Sequence, residues 1–471
     1  MAECSLENCN EECFENEDKC ILHCDKRDIY SESLVKKKFE EQLKIKYSNS
    51  INKFEKIIFP DINNIFDQTF NEISFQDCTF YGIQILNDFP HTDDVTLFDN
   101  CIFNNYISFH HIHFKCNIFR MCRFSNLVEL TIYDSTFKKQ LFYKNLHNNY
   151  PSKLNLIYCK FTNERFIVKK ANTIIDTIKI EYCRFNSNFE ISNCLNITNL
   201  TITNSLFNSN LQLLDNTIEK MSLLLSTIEG TGLITNSTIV SNDIYGVVFN
   251  EFANFQYSKF KSILNLSNVH FSKQSSFYNT TVEQSINLEN TTFANEVNFI
   301  ALSSKQRIID ENKNFVECST PANVLNRETA RKIKDSFEKQ NNIIEANKYY
   351  VIEMKEREKE LEITKNPFDW LVFKVHRWSS NHSQNWLLPL VWIFIISYLV
   401  TSIKTTYGIF ETILYNIFIF GVFDKMANVI NPFSIMTRGE ILTFNMLFLK
   451  VIIAYLIYQF IVSIRQNTRR K

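Results

Sequence analysis

Residues 200–228 read LTITNSLFNSNLQLLDNTIEKMSLLLSTI and contain one short pattern twice. Ile202 precedes Phe207 by five positions, Leu223 precedes Ile228 by five, and a serine lies two residues before the second member of each pair. The unit is therefore apolar-x-x-small-x-apolar, with a period of five. An amphipathic helix has a period of 3.6 and a half-buried strand a period of two, so the pattern favours neither.

The same unit recurs between residues 75 and 293, most often every ~21–24 residues, a spacing typical of repeat architectures. The large residues that end each unit are Phe80, Phe103, Phe124, Phe137, Phe161, Phe185, Phe207, Ile228, Ile239, Phe260, Phe271 and Phe293. The residues five positions earlier are all apolar: Phe75, Phe98, Phe119, Ile132, Leu156, Ile180, Ile202, Leu223, Ile234, Phe255, Leu266 and Leu288.

A period of five predicts a mainly β, four-sided coil in which four sides make one turn of about 20 residues. The large residue of each side and the small residue two positions before it point inward, and stacked turns pair their backbones about 4.8 Å apart. The pattern resembles the pentapeptide-repeat family, whose sides read A-(D/N)-L-x-x. The resemblance covers about residues 55–303 and implies a right-handed quadrilateral β-helix. Phe and Ile replace much of the family's Leu, and several coils carry extra residues.

Five cysteines of the repeat occupy the small inward position, where other coils have Ser or Thr. They are Cys78, Cys101, Cys122, Cys159 and Cys183. Buried free cysteine behaves as a small hydrophobic residue. We therefore expect these thiols to fill space in the core rather than bind a ligand.

A second group of cysteines lies outside the repeat, in residues 4–24 (CSLENCNEECFENEDKCILHC). Residues 1–30 are polar and acidic, without the apolar run of a secretory signal, which predicts a reducing cytoplasm where clustered cysteines more often bind metal or act in redox chemistry.

The spacing of these cysteines suggests a metal site. Two pairs, Cys9-x3-Cys13 and Cys20-x3-Cys24, can supply four thiolates to a tetrahedral zinc, with Cys4 and His23 as alternative ligands. Thiol redox sensing and unliganded surface thiols remain as alternatives. A segment this short cannot build a hydrophobic core of its own. Metal binding would therefore also drive its folding.

Helices are expected on both sides of the repeat. Residues 31–54 contain a helix with an apolar stripe of Leu34, Phe39 and Leu43, which we expect to cover the first coil. Residues 304–380 form a helical cap or linker, with helical spacing over 327–363 and a break near 340–342. A helical hairpin is expected there, and an oligomerising coiled coil, hence a homo-oligomer, is the alternative.

Residues 381–471 predict a membrane region. Residues 386–403 carry no charge and residues 441–464 carry one. Both apolar segments are also long enough, as helices, to span the hydrocarbon core of a bilayer. Basic residues flank both ends and indicate an even number of crossings. Two spans are therefore expected, with 407–423 as a re-entrant or interfacial segment. Glu411 and Lys450 are ionisable residues within apolar segments. We expect them either to pair with each other or to serve a function in the membrane region.

The whole layout resembles bacterial membrane-anchored pentapeptide-repeat proteins with an N-terminal cysteine cluster and C-terminal transmembrane helices. The matching words are KCILHC (19–24), EKQNNIIEANKYYVIEMKEREKEL (338–361), SSNHSQNWLL (379–388) and YQFIVSIRQNTRRK (458–471). The resemblance implies a multi-pass protein of the bacterial inner membrane with its β-helix in the cytoplasm.

No catalytic motif is present: the sequence lacks a Walker loop, a G-x-S-x-G motif and a dinucleotide fingerprint. We therefore expect no enzyme, but a membrane-anchored scaffold that binds a protein partner beside the lipid bilayer. A subunit of a small oligomeric ion channel or sensor is the alternative. Nucleic acid is not an expected partner. Mimicry of DNA is also disfavoured, because residues 71–303 hold 20 acidic and 17 basic side chains rather than an acidic stripe.

Overall fold

The computed structural model describes residues 3–6, 9–25, 33–47, 51–63, 71–86, 95–146, 148–309, 315–403, 429–431 and 444–468. The chain divides into two compact units, Met1–Leu325 and Asn326–Lys471. The first is a β-solenoid and the second is helical.

The solenoid has about ten turns, and its strands stack into parallel sheets. Fifteen strands of the described residues form the largest sheet: Ile58–Asn63, Thr79–Ile85, Ile102–Phe103, Tyr106–His110, Arg123–Phe124, Glu129–Tyr133, Lys153–Ile157, Ile175–Glu181, Ile197–Thr203, Thr217–Leu224, Thr238–Tyr245, Lys259–Phe260, Thr281–Val282, Ser303–Ile309 and Phe315–Pro321. A nine-stranded sheet contains His113–Phe114, Thr136–Phe137, Lys160–Phe161, Arg184–Phe185, Leu206–Phe207, Thr227–Ile228, Val248–Phe249, His270–Phe271 and Thr292–Phe293.

Three smaller sheets complete the described part of the solenoid. A seven-stranded sheet contains Phe166–Lys169, Phe189–Ser192, Leu211–Leu214, Gly232–Thr235, Ala253–Asn254, Ser275–Ser276 and Val297–Asn298. A five-stranded sheet contains Ile51–Glu55, Asn71–Gln76, Phe98–Asp99, Phe119–Arg120 and Phe142–Tyr143, and a two-stranded sheet contains Leu264–Asn265 and Ile286–Asn287. The strands pair coil to coil, so Phe80 faces Phe103 and Phe161 faces Phe185.

The period of five correctly predicts which residues form the core. Every residue at the first apolar position and every residue at the small position is buried, and at the last position only Phe293 is partly exposed. Identical side chains stack in columns: the ring centres of Phe75 and Phe98 are 5.0 Å apart, and those of Phe98 and Phe119 are 5.4 Å apart. Stacked rings add to the burial of apolar surface that holds adjacent coils together.

The small inward residue also makes a hydrogen bond, which the sequence pattern did not reveal. Cys122 Sγ donates to the carbonyl oxygen of Phe98 at 3.3 Å, and Ser258 Oγ donates to that of Ile234 at 2.8 Å. The acceptor lies 24 residues earlier in both cases. Cys, Ser and Thr share a donor that Ala lacks, which explains their exchange at this position.

The residue just before the small position turns the chain in the left-handed conformation. It has a φ of 52° at Asn100, 45° at Asp134 and 48° at Asn204. Asn and Asp tolerate this conformation better than other non-glycine residues. The left-handed backbone therefore explains why asparagine occurs at these corners of the repeat.

Helix α1 (Ser33–Tyr47) packs on the first coils. The rings of Phe39 and Phe59 meet edge to face at 5.8 Å, and Leu43 is fully buried. Val35 rather than Leu34 completes the buried stripe, since Leu34 is largely exposed.

At the other end of the solenoid, Ser303–Ile309 and Phe315–Pro321 form an antiparallel hairpin. Part of the segment 304–380 is therefore strand rather than helix. Residues 310–314, between the two strands in the sequence, lie outside the described residues.

The second unit contains helices α2 (Arg327–Lys339), α3 (Ile343–Glu360), α4 (Pro367–Ser380), α5 (Leu387–Ile403) and α6 (Phe444–Thr468). The break expected near 340–342 separates α2 from α3. Asn326 and Asn342 cap the two helices through their side-chain oxygens. The rings of Phe337 and Tyr349 stack at 5.9 Å and join the two helices.

Within the described residues, α6 is the one helix with an apolar stretch long enough to cross a membrane. Leu447–Gln466 spans 20 residues with a mean hydropathy of 2.2. Helix α5 coincides with the expected first span, 386–403, but its apolar stretch, Leu387–Leu399, is shorter than a full crossing. The structure therefore does not support the expected two-span topology. Residues 407–423 lie outside the described residues.

Candidate metal centre

A hydrogen-bonded turn at residues 20–24 places two donor atoms side by side near the N-terminus. The amides of His23 and Cys24 both donate to the carbonyl of Cys20 at 2.9 Å. Residues three apart on such a turn share one side. Cys20 Sγ and His23 Nδ1 are consequently 3.1 Å apart.

Two further thiols arrive from the preceding segment. An antiparallel bridge joins Glu3 to Glu12, and the amide of Cys4 donates to the carbonyl of Glu11 at 2.9 Å. The amide of Cys9 donates to the carbonyl of Leu6 at 3.1 Å. Cys4 and Cys9 are thereby brought next to the turn that starts at residue 20.

The four donor atoms of Cys4, Cys9, Cys20 and His23 lie within 4.8 Å of one another. Around a tetrahedral zinc, two thiolates lie about 3.8 Å apart, and a thiolate and an imidazole nitrogen about 3.6 Å apart. The observed Cys9 Sγ–Cys20 Sγ distance is 3.7 Å, and the Cys4 Sγ–His23 Nδ1 distance is 3.8 Å. Three sulfurs and one nitrogen at these separations can hold a tetrahedral metal ion.

All four side chains of this cluster are buried, with exposed fractions from 1% at Cys20 to 7% at Cys4 and Cys9. Four protein donors fill a tetrahedral shell and leave no position for a substrate. This arrangement is typical of a structural metal site rather than a catalytic one.

The surroundings tie the cluster to the solenoid cap. Lys46 of α1 lies with its Nζ 3.9 Å from Cys9 Sγ and 3.9 Å from the Glu11 carboxylate. The amide of Ile58, in the solenoid, donates to the carbonyl of Leu22 at 3.0 Å. Folding of residues 3–25 is therefore coupled to the packing of α1 and the first coil.

The electrostatics of the thiols depend on their proximity. Burial alone would raise the pKa of Cys4, but hydrogen bonds from the amides of Cys20 and Leu6 and from the neighbouring thiols outweigh it and lower the pKa. Burial, together with the charges of Cys9 and Cys4, raises the pKa of Cys20 to about 12. Deprotonation of one thiol therefore disfavours deprotonation of its neighbours, and a bound divalent cation would stabilise all of the thiolates together.

Two of the four cysteines expected as ligands, Cys9 and Cys20, belong to the cluster, and the two alternatives, Cys4 and His23, complete it. Cys13 lies outside it and donates to the carbonyl of Glu3 at 3.2 Å. Cys24 is fully buried, with its Sγ 4.0 Å from the carbonyl of Ile21. The i, i+3 spacing of Cys20 and His23 was the available signal for this pair.

The repeat cysteines behave as predicted, as buried residues of the core. Cys78, Cys101, Cys122, Cys159 and Cys183 are each at most 2% exposed and donate to backbone carbonyls. Burial raises the pKa of Cys101 well above its ordinary value, and its thiol neighbours Cys122 and Cys78 raise it further. All five thiols act as hydrogen-bond donors within the core.

The structure describes one residue of the expected intramembrane charge pair. Lys450 lies in α6, and its Nζ donates to the carbonyls of Val429 at 3.0 Å and Asn431. Glu411 lies outside the described residues. The ammonium group of Lys450 is thus held by backbone oxygens.

Searches of protein-family models, curated protein sequences and solved structures each find no match for this chain.

Proposed function

We propose that the protein is a membrane-anchored scaffold whose β-solenoid presents a binding surface to a protein partner. On this proposal the solenoid is a right-handed, four-sided coil of the pentapeptide-repeat type, exposed to the cytoplasm of a bacterium. The helical unit anchors it in the inner membrane, with α6 and at least one more crossing.

A stripe of exposed and partly exposed rings along one corner of the solenoid carries the proposal. This aromatic stripe consists of His110, His111, Tyr133, Tyr158 and Tyr182. Tyr133 and Tyr158 have ring centres 5.6 Å apart, and Tyr158 and Tyr182 stack at 4.8 Å. About half of each of the last two side chains is exposed.

Rigid, preordered aromatic side chains favour recognition of a protein. Tyr and Trp supply a large share of binding energy at protein interfaces and lose little conformational entropy there. Ring contacts from coil to coil, edge to face between Tyr133 and Tyr158 and stacked between Tyr158 and Tyr182, order the rings of the aromatic stripe before any partner binds. The aromatic stripe therefore offers a preordered, partly polar contact surface.

The test is proximity labelling in cells with the full chain carrying Tyr158→Asn and Tyr182→Asn. Both tyrosines have positive φ, which asparagine tolerates, so the coil should be unchanged. We expect specific neighbours of the wild type to lose most of their labelling. The matched control is Tyr257→Asn with Tyr278→Asn, a second exposed pair on the solenoid with rings 5.7 Å apart.

Labelling that is unchanged in the aromatic-stripe variant, or equally reduced in the control, would contradict the proposed binding surface. Flotation with vesicles tests the anchor separately: the full chain should float with phosphatidylcholine vesicles and resist extraction by alkaline carbonate.

The proposal also assigns zinc to the cluster of Cys4, Cys9, Cys20 and His23. Thiolate and imidazole donors in tetrahedral arrangement suit zinc better than magnesium or calcium, which prefer oxygen ligands. Its role would be to fold residues 3–25 against α1 and the first coil, where an open solenoid end would otherwise expose unpaired strands.

A further inference from the structure

Helix α4 exposes a continuous apolar face. Phe368, Leu371, Val372, Val375 and Trp378 lie three or four positions apart and therefore on one side of the helix. Their exposed fractions run from 39% at Val375 to 81% at Phe368. Large apolar side chains on a water-facing surface normally occur singly, and a contiguous patch of this kind marks an interaction site.

The opposite face of α4 is occupied by charges that are already paired. Arg377 and Lys374 both donate to the carboxylate of Glu358 on α3, Arg377 with two contacts of 3.1 Å. Burial raises the pKa of Glu358, but the hydrogen bonds from Lys374 and Arg377 outweigh it and hold the pKa below the ordinary value. Both basic side chains of this face thus contact the same carboxylate, which offsets one of their two positive charges.

The apolar face of α4 is continuous with the apolar surface of the helices it packs against. Trp392 of α5 donates its Nε1 hydrogen to the carbonyl of Trp378 at 3.0 Å, and Ser379 at the end of α4 lies 3.3 Å from the Tyr455 hydroxyl of α6. On α5 the exposed surface continues through Leu387, Val391, Ile395 and Leu399. Helix α6 carries the stretch long enough to cross a membrane.

We propose that α4 is an interfacial helix whose apolar face is buried in the lipid bilayer at the boundary between headgroups and acyl chains. Amphipathic helices at this boundary bury their apolar face about 5–10 Å deep, and Trp is favoured there. This inference rests on the proposed membrane anchor. It adds a second contact with lipid that fixes the depth and rotation of the helical unit.

The paired charges make a distinguishing prediction about lipid composition. Basic residues of an amphipathic helix usually attract anionic headgroups. Here Lys374 and Arg377 are committed to Glu358, so the apolar face carries the contact. Zwitterionic and anionic membranes should therefore take up α4 to the same depth.

The test measures quenching of tryptophan fluorescence by lipids brominated near the headgroup, with the full chain reconstituted in phosphatidylcholine vesicles. One variant keeps only Trp378 (Trp370→Phe, Trp386→Phe, Trp392→Phe). The control keeps only Trp370, which lies on the charged face beside Lys374. We expect quenching of Trp378 to exceed that of Trp370 about threefold, since only one face enters the acyl region.

Adding phosphatidylglycerol should leave this ratio unchanged. Equal quenching at the two positions, or quenching of Trp378 only in anionic vesicles, would overturn the proposal. A Trp378 shielded from both brominated lipid and aqueous acrylamide would also overturn it, because another copy of the chain would then cover the face.

Two controls separate the possible failures. If the full chain does not float with the vesicles, the membrane anchor itself fails. If it floats but Trp378 is not quenched, only the role of α4 fails. A Trp378-only chain with Leu371→Lys and Val372→Lys tests the face without touching the Glu358 contacts, and its quenching should fall toward that of Trp370.

Discussion

The N-terminal segment and the solenoid both bury cysteines, but the two regions use them differently. In residues 3–25, Cys4, Cys9 and Cys20 converge with His23 on one point. In the solenoid, cysteines at the small position of the repeat, such as Cys122, donate singly to a backbone carbonyl of the preceding coil.

The difference follows from what else each region can bury. The solenoid stacks phenylalanine, isoleucine and leucine over about ten turns and needs only a small donor at the cysteine position. Residues 3–25 contain few apolar side chains, so on the proposed function they depend on a bound metal for their order. Residue type alone therefore does not determine the role of a cysteine; the periodic surroundings do.

Removal of metal should have the largest effect and should be confined to the N-terminal segment. Structural zinc contributes about 10–16 kcal/mol of apparent binding free energy in small zinc-binding peptides. After chelation of the full chain in detergent, the amides of His23 and Cys24 should exchange hydrogen about tenfold faster or more. Solenoid amides such as Phe119 should be unaffected. Unchanged protection of His23 and Cys24 after verified metal loss would break the comparison.

Truncation of a stacked ring should destabilise the solenoid without affecting the metal. Phe98 is fully buried between Phe75 and Phe119. Phe98→Ala should lower the free energy of unfolding by about 3–5 kcal/mol, through lost burial and a cavity. Urea unfolding followed by circular dichroism measures this. Leu195→Ala, at an exposed site, is the control and should change stability by less than about 0.5 kcal/mol.

Substitution at a repeat cysteine should have a small effect that depends on the donor. Cys122→Ser keeps a donor to the Phe98 carbonyl, whereas Cys122→Val removes it. We expect Val to cost about 1 kcal/mol more than Ser in the free energy of unfolding, the usual contribution of one hydrogen bond. Equal stability of the two variants in urea would show that the position requires only a small volume.

The smallest effect is expected at a corner. Asn204 has a φ of 48°, so Asn204→Ala should cost about 1 kcal/mol in unfolding free energy and Asn204→Gly less, because glycine adopts this conformation freely. Thermal unfolding of the two variants provides the comparison. A more stable Ala variant would contradict the conformational reason for asparagine at the corners.

The sequence predicted the solenoid core well because a period of five repeated over many coils specifies which side chains face inward. It also located the break at 340–342 between α2 and α3. Both depend on local patterns that are visible in one dimension.

The candidate metal site was predicted only in part because its geometry depends on a contact between distant residues. The bridge between Glu3 and Glu12 brings Cys4 to the cluster, and no local pattern indicates that pairing. Cys13 has a favourable spacing from Cys9, yet its thiol turns to the carbonyl of Glu3. Similarly, the exposed apolar face of α4 becomes evident only when the opposite face is seen paired with Glu358.

Elemental analysis of the purified full chain tests most directly whether the two groups of cysteines differ in role. We predict one zinc per chain in the wild type and in Cys122→Ser, and none in Cys20→Ser. Zinc retained by Cys20→Ser, or lost from Cys122→Ser, would contradict the separation of a metal-binding segment from a metal-free solenoid.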